Sequence, residues 1–447
     1  SLERLGRFRD KHFMYVARRL PDHFCELAHC DQVVDLKFIK EPSRFYANDT
    51  LGPVIGITNI DNHGICGLEQ LYDRFLAGTP TKVILKKDAR FDHFYFKQDL
   101  QTTGERGNDL YLTIDSDLQF LAHEALANRV NRLQAEQGAV VIMNPVNGEI
   151  LSLATYPDFD PNGSTQELDL AYTRLTSVTD SYEFGSIMKV FVALAALAEG
   201  VVAPDELIDC ENKAEIQIDG MHFTTTKSSV SGEIPFSEVV ARSNNIGMVK
   251  VARRLSEKLY DHYVNLGFGS KTGIDFPGEQ VGYLSHPAKW SKRSIISLSF
   301  GYEITATLLQ VARAFSVIAN GGNLVTPKLI LDDKISAAEK IYDEQVIAIV
   351  QDILRGTVQH GTGVRAKIRG YDIMGKTGTA KVAVNGGYSD DQLMLSFVGI
   401  VQKGDYSRVI AIVIKKTKNS HNMYGANTAA PLFEEIAEQM LVHDKVV

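Results

Sequence analysis

A serine and a lysine three residues apart, Ser186-Ile187-Met188-Lys189, stand where Gly185 gives way to the apolar run Val190 to Ala198. Positions i and i+3 share a helix face, so the hydroxyl and the amine can meet within one turn. A serine becomes a nucleophile when a neighbouring base removes its proton. Lysine is such a base only when neutral, and its ordinary pKa of about 10.4 leaves under about one part in a thousand neutral at pH 7. Lowering that pKa by about three units costs roughly 4 kcal/mol. Burial, a second cation and the positive end of a helix can supply it. The same helix start offers backbone N–H groups to an oxyanion. Taken alone, S-x-x-K is a weak signal, and a surface pair on an ordinary helix is the commoner reading.

Two further triplets change that balance. In Ser243-Asn244-Asn245 the hydroxyl can pass a proton between Lys189 and an amine, while Asn245 can hold an amide carbonyl. A second S-x-N, Ser420-His421-Asn422, falls in a polar loop after a strand. K-T-G also occurs twice. Lys271-Thr272-Gly273 runs into Ile274-Asp275-Phe276-Pro277-Gly278, which is turn chemistry. Lys376-Thr377-Gly378 runs into Thr379 to Val384, which reads as a strand. A strand edge bearing a cation suits an extended peptide with a carboxylate end: backbone pairing aligns it, small Gly378 admits it, and Lys376 with Thr379 answers its charge. Gly370 to Thr377 also fits the phosphate loop G-x-x-x-x-G-K-[ST]. That loop needs a buried strand before it and a helix after it. Here charged Arg365 to Arg369 precedes it and Gly378 with β-branched residues follows, so a nucleotide site is set aside.

The elements that must position these groups follow from pattern. Asp115 to Leu133 reads as an amphipathic helix, and Ala139–Met143 with Glu149–Ala154 as a hairpin turned at Asn147-Gly148. Residues 187–320 carry mainly helical patterns, and 342–358 form another helix. Leu393–Val401 and Arg408–Lys416 are strands joined by Lys403-Gly404-Asp405, and Pro431–Val442 closes with a helix. Strands at both ends of a region with helices between them predict an α+β build, an antiparallel sheet with helices on its faces. Before it, Gly52–Ile60 reads as extended, Arg18–Leu27 and Gly67–Leu76 as helical, and residues 84–100 as exposed strands. The turn at Gly104–Gly107 suggests domains at 1–108 and 109–447.

Composition narrows the classes. The chain has 447 residues, 44% hydrophobic and 9% aromatic, enough to bury a sizeable core. A net charge of −8 lacks the basic footprint of a nucleic-acid binder. No apolar run is long enough to span a bilayer. The chain starts at Ser1 and reads as a piece whose N-terminus lies upstream. Four cysteines, Cys25, Cys30, Cys66 and Cys210, do not make a disulfide framework. His23, Cys25, His29 and Cys30 crowd together at a spacing that matches no standard zinc module.

With its three triplets in the order S-x-x-K, S-x-N, K-T-G, the sequence resembles the class B penicillin-binding proteins, and most of all their division-specific branch. The resemblance covers nearly the whole chain. Gly64-Ile65-Cys66-Gly67-Leu68-Glu69 with Tyr72-Asp73 and Leu76-Ala77-Gly78 is similar to the family's pedestal motif. Leu112–Asp115 with Leu118-Gln119, Asn144-Pro145 through Leu151, Asp160-Pro161-Asn162, Thr272 to Glu279 and Phe300-Gly301-Tyr302 match too. The family wants the Thr-Gly of Thr272-Gly273, which accounts for the decoy Lys271.

The resemblance implies a transpeptidase domain, an antiparallel sheet flanked by helices plus an all-helical subdomain, on an N-terminal pedestal. It implies a peptidoglycan stem peptide ending in D-Ala-D-Ala as donor and an amine of a neighbouring stem peptide as acceptor. Ser186 would be the nucleophile, Lys189 the base and Ser243 the relay. Asn245 would orient the acyl amide, and Lys376, Thr377 and Thr379 would hold the terminal carboxylate. Backbone N–H groups of Ser186 and Thr379 would form the oxyanion hole. β-Lactams would acylate Ser186. No metal or cofactor is called for. A lipid-II-polymerising membrane partner, division proteins, a periplasmic location and an inner-membrane anchor outside this chain are implied as well. The chain departs from the family in having Phe184 and Leu308 where proline is usual. Three other readings share the triplets: a serine β-lactamase, which needs a carboxylate-positioned water, a β-lactam sensor, and a non-catalytic scaffold.

Overall fold

The computed structural model describes residues 15, 17–20, 41, 43–86, 97–163, 168–212, 215–218, 221–224, 232–332, 338–384, 387–417 and 423–446. The cluster His23, Cys25, His29, Cys30 and the second S-x-N, Ser420 to Asn422, lie outside these residues, as does most of the helix expected over Arg18–Leu27.

The N-terminal part corrects two expectations. Gly52–Ile55 is a helical turn rather than extended chain, continuing a tighter turn at Asp49–Leu51. Asn48 starts that turn by accepting from Thr50 N, and Pro53 suits its beginning. The helical period over 67–76 splits at Tyr72 into α1 (Gly67–Leu71) and α2 (Asp73–Ala77). Strands β1 (Lys82–Lys86) and β2 (Lys97–Thr102) then pair antiparallel.

The larger part is built on one sheet. After α3 (Ser116–Leu133) come β3 (Gln137–Met143) and β4 (Ile150–Tyr156), then the helices α4 (Lys189–Ala198), α5 (Phe236–Ala241), α6 (Asn245–Leu255), α7 (Leu308–Ala319) and α8 (Glu344–Gln359). Strands β5 (Asp372–Val384), β6 (Gly387–Lys403) and β7 (Tyr406–Thr417) follow, and α9 (Ala429–His443) closes. The five strands lie in the order β5-β6-β7-β3-β4, every pair antiparallel. The two ends of the chain segment thus meet in one sheet, with β5 at an edge.

Alternation along β7 shows why the sheet is buried on both faces. Val409, Ala411 and Val413 enter a core with α4 and α7, whereas Ile410, Ile412 and Ile414 enter a second core with α3 and α9. Helix α4 is buried all round from Lys189 to Leu197, which fits its being apolar on every face after Lys189. Local caps fix where the helices begin. Asp115 accepts from Asp117 N and Leu118 N at the start of α3. Thr307 and Gln310 form a reciprocal capping box at α7. That box supplies the helix start where the family's proline is replaced by Leu308.

Candidate active site

Gly185–Ile187 is a single 3₁₀ turn leading into α4, so Ser186 stands at the mouth of the buried helix. Gly185 has φ +55°, a conformation that favours glycine, and a Cβ there would lie 2.6 Å from Thr379 O. A Cβ on Gly301 would lie 2.1 Å from Gly185 O, so the Phe300-Gly301-Tyr302 loop backs the same turn. The turn that carries Ser186 is wedged between that loop and the edge strand by backbone contacts that only glycines permit. Phe184, in the place of the usual proline, is buried and meets Tyr182 edge to face, with ring centroids 6.3 Å apart.

The second triplet is the joint between α5 and α6. Ser243 is held at φ +58°, and Asn244, fully buried, caps α6 by accepting from Gly247 N at 2.9 Å. The middle residue of S-x-N is therefore structural, because it starts the helix whose first residue is Asn245. The third triplet lies inside β5, and the strand runs on through Lys376 and Thr377 to Val384. A strand rather than a helix follows Thr377, so the geometry of a phosphate loop is absent.

The three triplets meet at one hydroxyl. Lys189 Nζ donates to Ser243 O at 2.7 Å, Ser243 Oγ at 3.2 Å and Asn245 Oδ1 at 2.5 Å. Lys376 Nζ donates to the same Ser243 Oγ at 3.0 Å and to Thr377 O at 3.2 Å. Both lysines are fully buried. Burial first, and then the charge of Lys376, push the Lys189 amine well below the ordinary lysine range. Burial brings Lys376 down to about 7. A neutral Lys189 has two N–H donors and a lone pair. Ser243 O and Asn245 Oδ1 are pure acceptors and can take the two protons, leaving the lone pair for a hydroxyl.

The i,i+3 spacing predicts contact between Ser186 and Lys189, but the amine's bonds all go to the second triplet. Ser186 is the middle residue of a 3₁₀ turn and Lys189 begins the α-helix, so the two are not one turn apart on a single α-helix, and the long lysine stem reaches Ser243 instead.

Two threonines face the other way along β5. Thr377 Oγ1 lies 2.7 Å from Thr362 Oγ1, and Thr379 Oγ1 accepts from Gly425 N at 3.1 Å. With an acceptor site of Thr379 filled, its proton can be offered to an anion. Gly378 differs from expectation. Its missing side chain does not leave room for a peptide: a Cβ would lie 2.2 Å from Ser396 Oγ and 2.6 Å from Phe184 O. The glycine lets the turn that carries Ser186 lie against the strand. We expect Gly378→Ala to destabilise the fold by about 1–3 kcal/mol and to slow acylation at Ser186 together with it, checked by thermal melts beside penicillin-labelling rates.

The decoy K-T-G has another occupation. Lys271 is exposed, while Thr272 N and Oγ1 both donate to Glu279 Oε1, at 2.6 and 2.5 Å, closing the loop. Asp275 Oδ2 in that loop accepts from Tyr72 OH at 3.2 Å. Sequence reasoning missed Gly425 and Thr362 as neighbours of β5, because neither carries a motif that points to a strand far away in the chain. Among the described residues, no helix is long and apolar enough to cross a membrane.

A sheet with an edge strand, a serine at the mouth of a buried helix that begins with a lysine, and a second lysine converging with the first on the Ser243 hydroxyl define a serine acyltransferase of the penicillin-binding type. The chain belongs to the family described as the penicillin binding protein transpeptidase domain, whose model matches residues 138–438. It is 32% identical over 96% of its length to the protein named "Probable peptidoglycan D,D-transpeptidase PbpC" of Pseudomonas aeruginosa, spanning 75% of it. It is 29% identical to the peptidoglycan D,D-transpeptidase FtsI of Escherichia coli K12, covering 95% of this chain and 71% of that protein. Penicillin binding protein 3 of Mycobacterium tuberculosis, solved with aztreonam, superposes with a TM-score of 0.79 at 26% identity, covering 90% of both chains.

Proposed function

We propose that the chain is a peptidoglycan D,D-transpeptidase that cross-links stem peptides through an acyl-enzyme on Ser186, in septal wall synthesis, and that β-lactams acylate the same serine. Ser186 Oγ attacks the penultimate carbonyl of a stem peptide ending in D-Ala-D-Ala as Lys189 takes its proton. N–H groups of Ser186 and Thr379 receive the oxyanion. Ser243 passes the proton to the departing amine, and free D-alanine leaves. An amine of a second stem peptide then attacks the ester, its proton returns through Ser243 and Lys189, and Ser186 is regenerated. Asn245 orients the acyl amide. Lys376, Thr377 and Thr379 hold the terminal carboxylate. A carboxylate arriving there raises the Lys376 pKa from about 7, so the amine takes up a proton as it binds.

The observation that carries this reading is the single Ser243 hydroxyl reached by two buried lysine amines from separate triplets, at 3.2 and 3.0 Å. A proton relay beside a base and a carboxylate anchor needs that convergence. Incubation with a fluorescent penicillin tests it: we expect a covalent adduct that persists through denaturing electrophoresis. Rapid turnover to free penicilloate would make the chain a β-lactamase instead, and no adduct at all would leave a scaffold.

We further propose that residues 1–108 are a pedestal and 109–447 the transpeptidase domain. Bonds from Tyr72 to Asp275, between Tyr46 and Asn162, and from Gln119 to Thr50 O support a fixed stance of one on the other. Exposed Ile60, Ile65, Leu71 and Phe75 on the pedestal support docking of a lipid-II-polymerising membrane partner and other division proteins. The site would then face the periplasm, with an inner-membrane anchor outside this sequence.

A further inference from the structure

We infer that Thr362 is a positioning residue for the carboxylate end of the donor peptide: its hydroxyl donates to Thr377 and so turns the Thr377 proton toward the anion. The inference deepens the proposed function and rests on its reading of Thr377 as a carboxylate holder.

Thr362 Oγ1 and Thr377 Oγ1 lie 2.7 Å apart, a good distance for a hydroxyl pair in which either can donate. Each hydroxyl owns one proton. An anion at Thr377 accepts that residue's proton, and Thr377 can then only accept from Thr362. The direction of the pair is set by the ligand, giving the chain Thr362 to Thr377 to carboxylate. Hydrogen bonds in such a chain polarise one another, and those ending on a charge are the strong ones. Thr377 is 7% exposed, so little water stands in for a lost donor.

Thr362 is also held from behind. Its N–H donates to Ala241 O at 3.3 Å, and a Cβ on neighbouring Gly361 would lie 2.3 Å from that same oxygen. Gly363 N donates to Thr357 O at 2.9 Å, anchoring the loop to the end of α8. Ala241 ends α5, two residues before Ser243. One residue thus ties the strand that would read the carboxylate to the joint that carries the relay serine. Its hydroxyl reaches the strand and its backbone reaches the joint, so the two roles can be separated by substitution.

The test uses the whole chain with benzylpenicillin and benzylpenicillin methyl ester, which differ at the carboxylate. We expect Thr362→Val to lower the second-order acylation rate for the free acid by about fivefold to tenfold, with the ester rate within about twofold of wild type. Thr362→Ser, which keeps the hydroxyl, should restore the acid rate. Thr362→Ala removes the same donor and replaces the valine variant if that one does not fold. An equal loss for acid and ester, no loss for either, or a serine variant as poor as the valine one overturns the inference. Thr377→Val separates the two levels. If it abolishes the preference for the acid while Thr362→Val keeps it, only the role of Thr362 fails. If Thr377→Val keeps the preference, the assignment of Thr377 itself fails and takes the inference with it.

Discussion

Ser186→Ala should abolish covalent penicillin labelling outright, with loss of cross-linking by a factor of roughly 10⁶, the scale seen when a serine enzyme loses its nucleophile. The fold should not notice. Ser186 is half-buried in a one-turn 3₁₀ segment whose shape is set by Gly185, Gly301 and Gly378 rather than by the hydroxyl. Its melting temperature should match wild type, since a small change away from a packed core moves stability by at most about 0.5 kcal/mol. Mass spectrometry of the digested, penicillin-treated protein gives the decisive reading. The adduct mass belongs on the peptide containing Ser186 in the wild type and on no peptide in the variant. A modified peptide elsewhere, or persistent labelling of the variant, removes Ser186 as the nucleophile.

Lys189→Met should lower the acylation rate by about 10²–10⁴, the usual contribution of a general base. Methionine fills the buried channel without a titrating group, so the variant also reports on pH. In the wild type the rate should rise as pH climbs through the lowered Lys189 pKa and then level off; the variant's profile should be flat over the same range. A rise that survives in the variant belongs to another group and sinks Lys189 as base. Stability carries a second signature from the other lysine. The folded-state pKa of Lys376 is about 7, below the unfolded value of about 10.4, so the unfolded chain binds more protons in between. This contribution is lacking below about 7, grows as pH rises, and is complete above the unfolded value. Thermal melts across that window should show wild type gaining stability relative to Lys376→Met. A constant difference would mean that the buried amine is not neutral there.

Much of the site was legible because its groups come in short runs whose local geometry is set by neighbours. Ser186 with Lys189, Ser243 with Asn245, and Lys376 with Thr379 each sit within one turn or one strand. The sheet was legible because its strands alternate or run apolar, and α3 because its apolar residues recur at helical spacing. The chain's other family motifs were visible as patterns, yet their purpose was not. Gln119, Asn162 and Asp275 bond the N-terminal part to the part built on the sheet. Contacts between residues such as Thr362 and Thr377, or Gly425 and Thr379, depend on how a loop lies across a strand, and no periodicity records that. Gly378 shows the same limit from the other side. Its smallness was evident, but which neighbour needed the space was not, because a strand has two faces and the nucleophile turn had still to be placed on one of them. The helical turn at Gly52–Ile55 was misread because a run rich in β-branched residues outweighed the signal of Asn48 and Pro53.

The rim of the sheet limits how much of a visitor it can hold. Lys381 N donates at 3.3 Å to Tyr302 OH, not to β6, so at that residue the strand's outward amide is already spoken for. Outward amides recur at every second residue, which makes Thr379 N the next one along. A bare border strand recruits any stray extended chain, with clumping as the outcome. One tyrosine hydroxyl works here as a kerb: it takes the amide that a long foreign strand would need at Lys381, so the register of such a strand is cut off there.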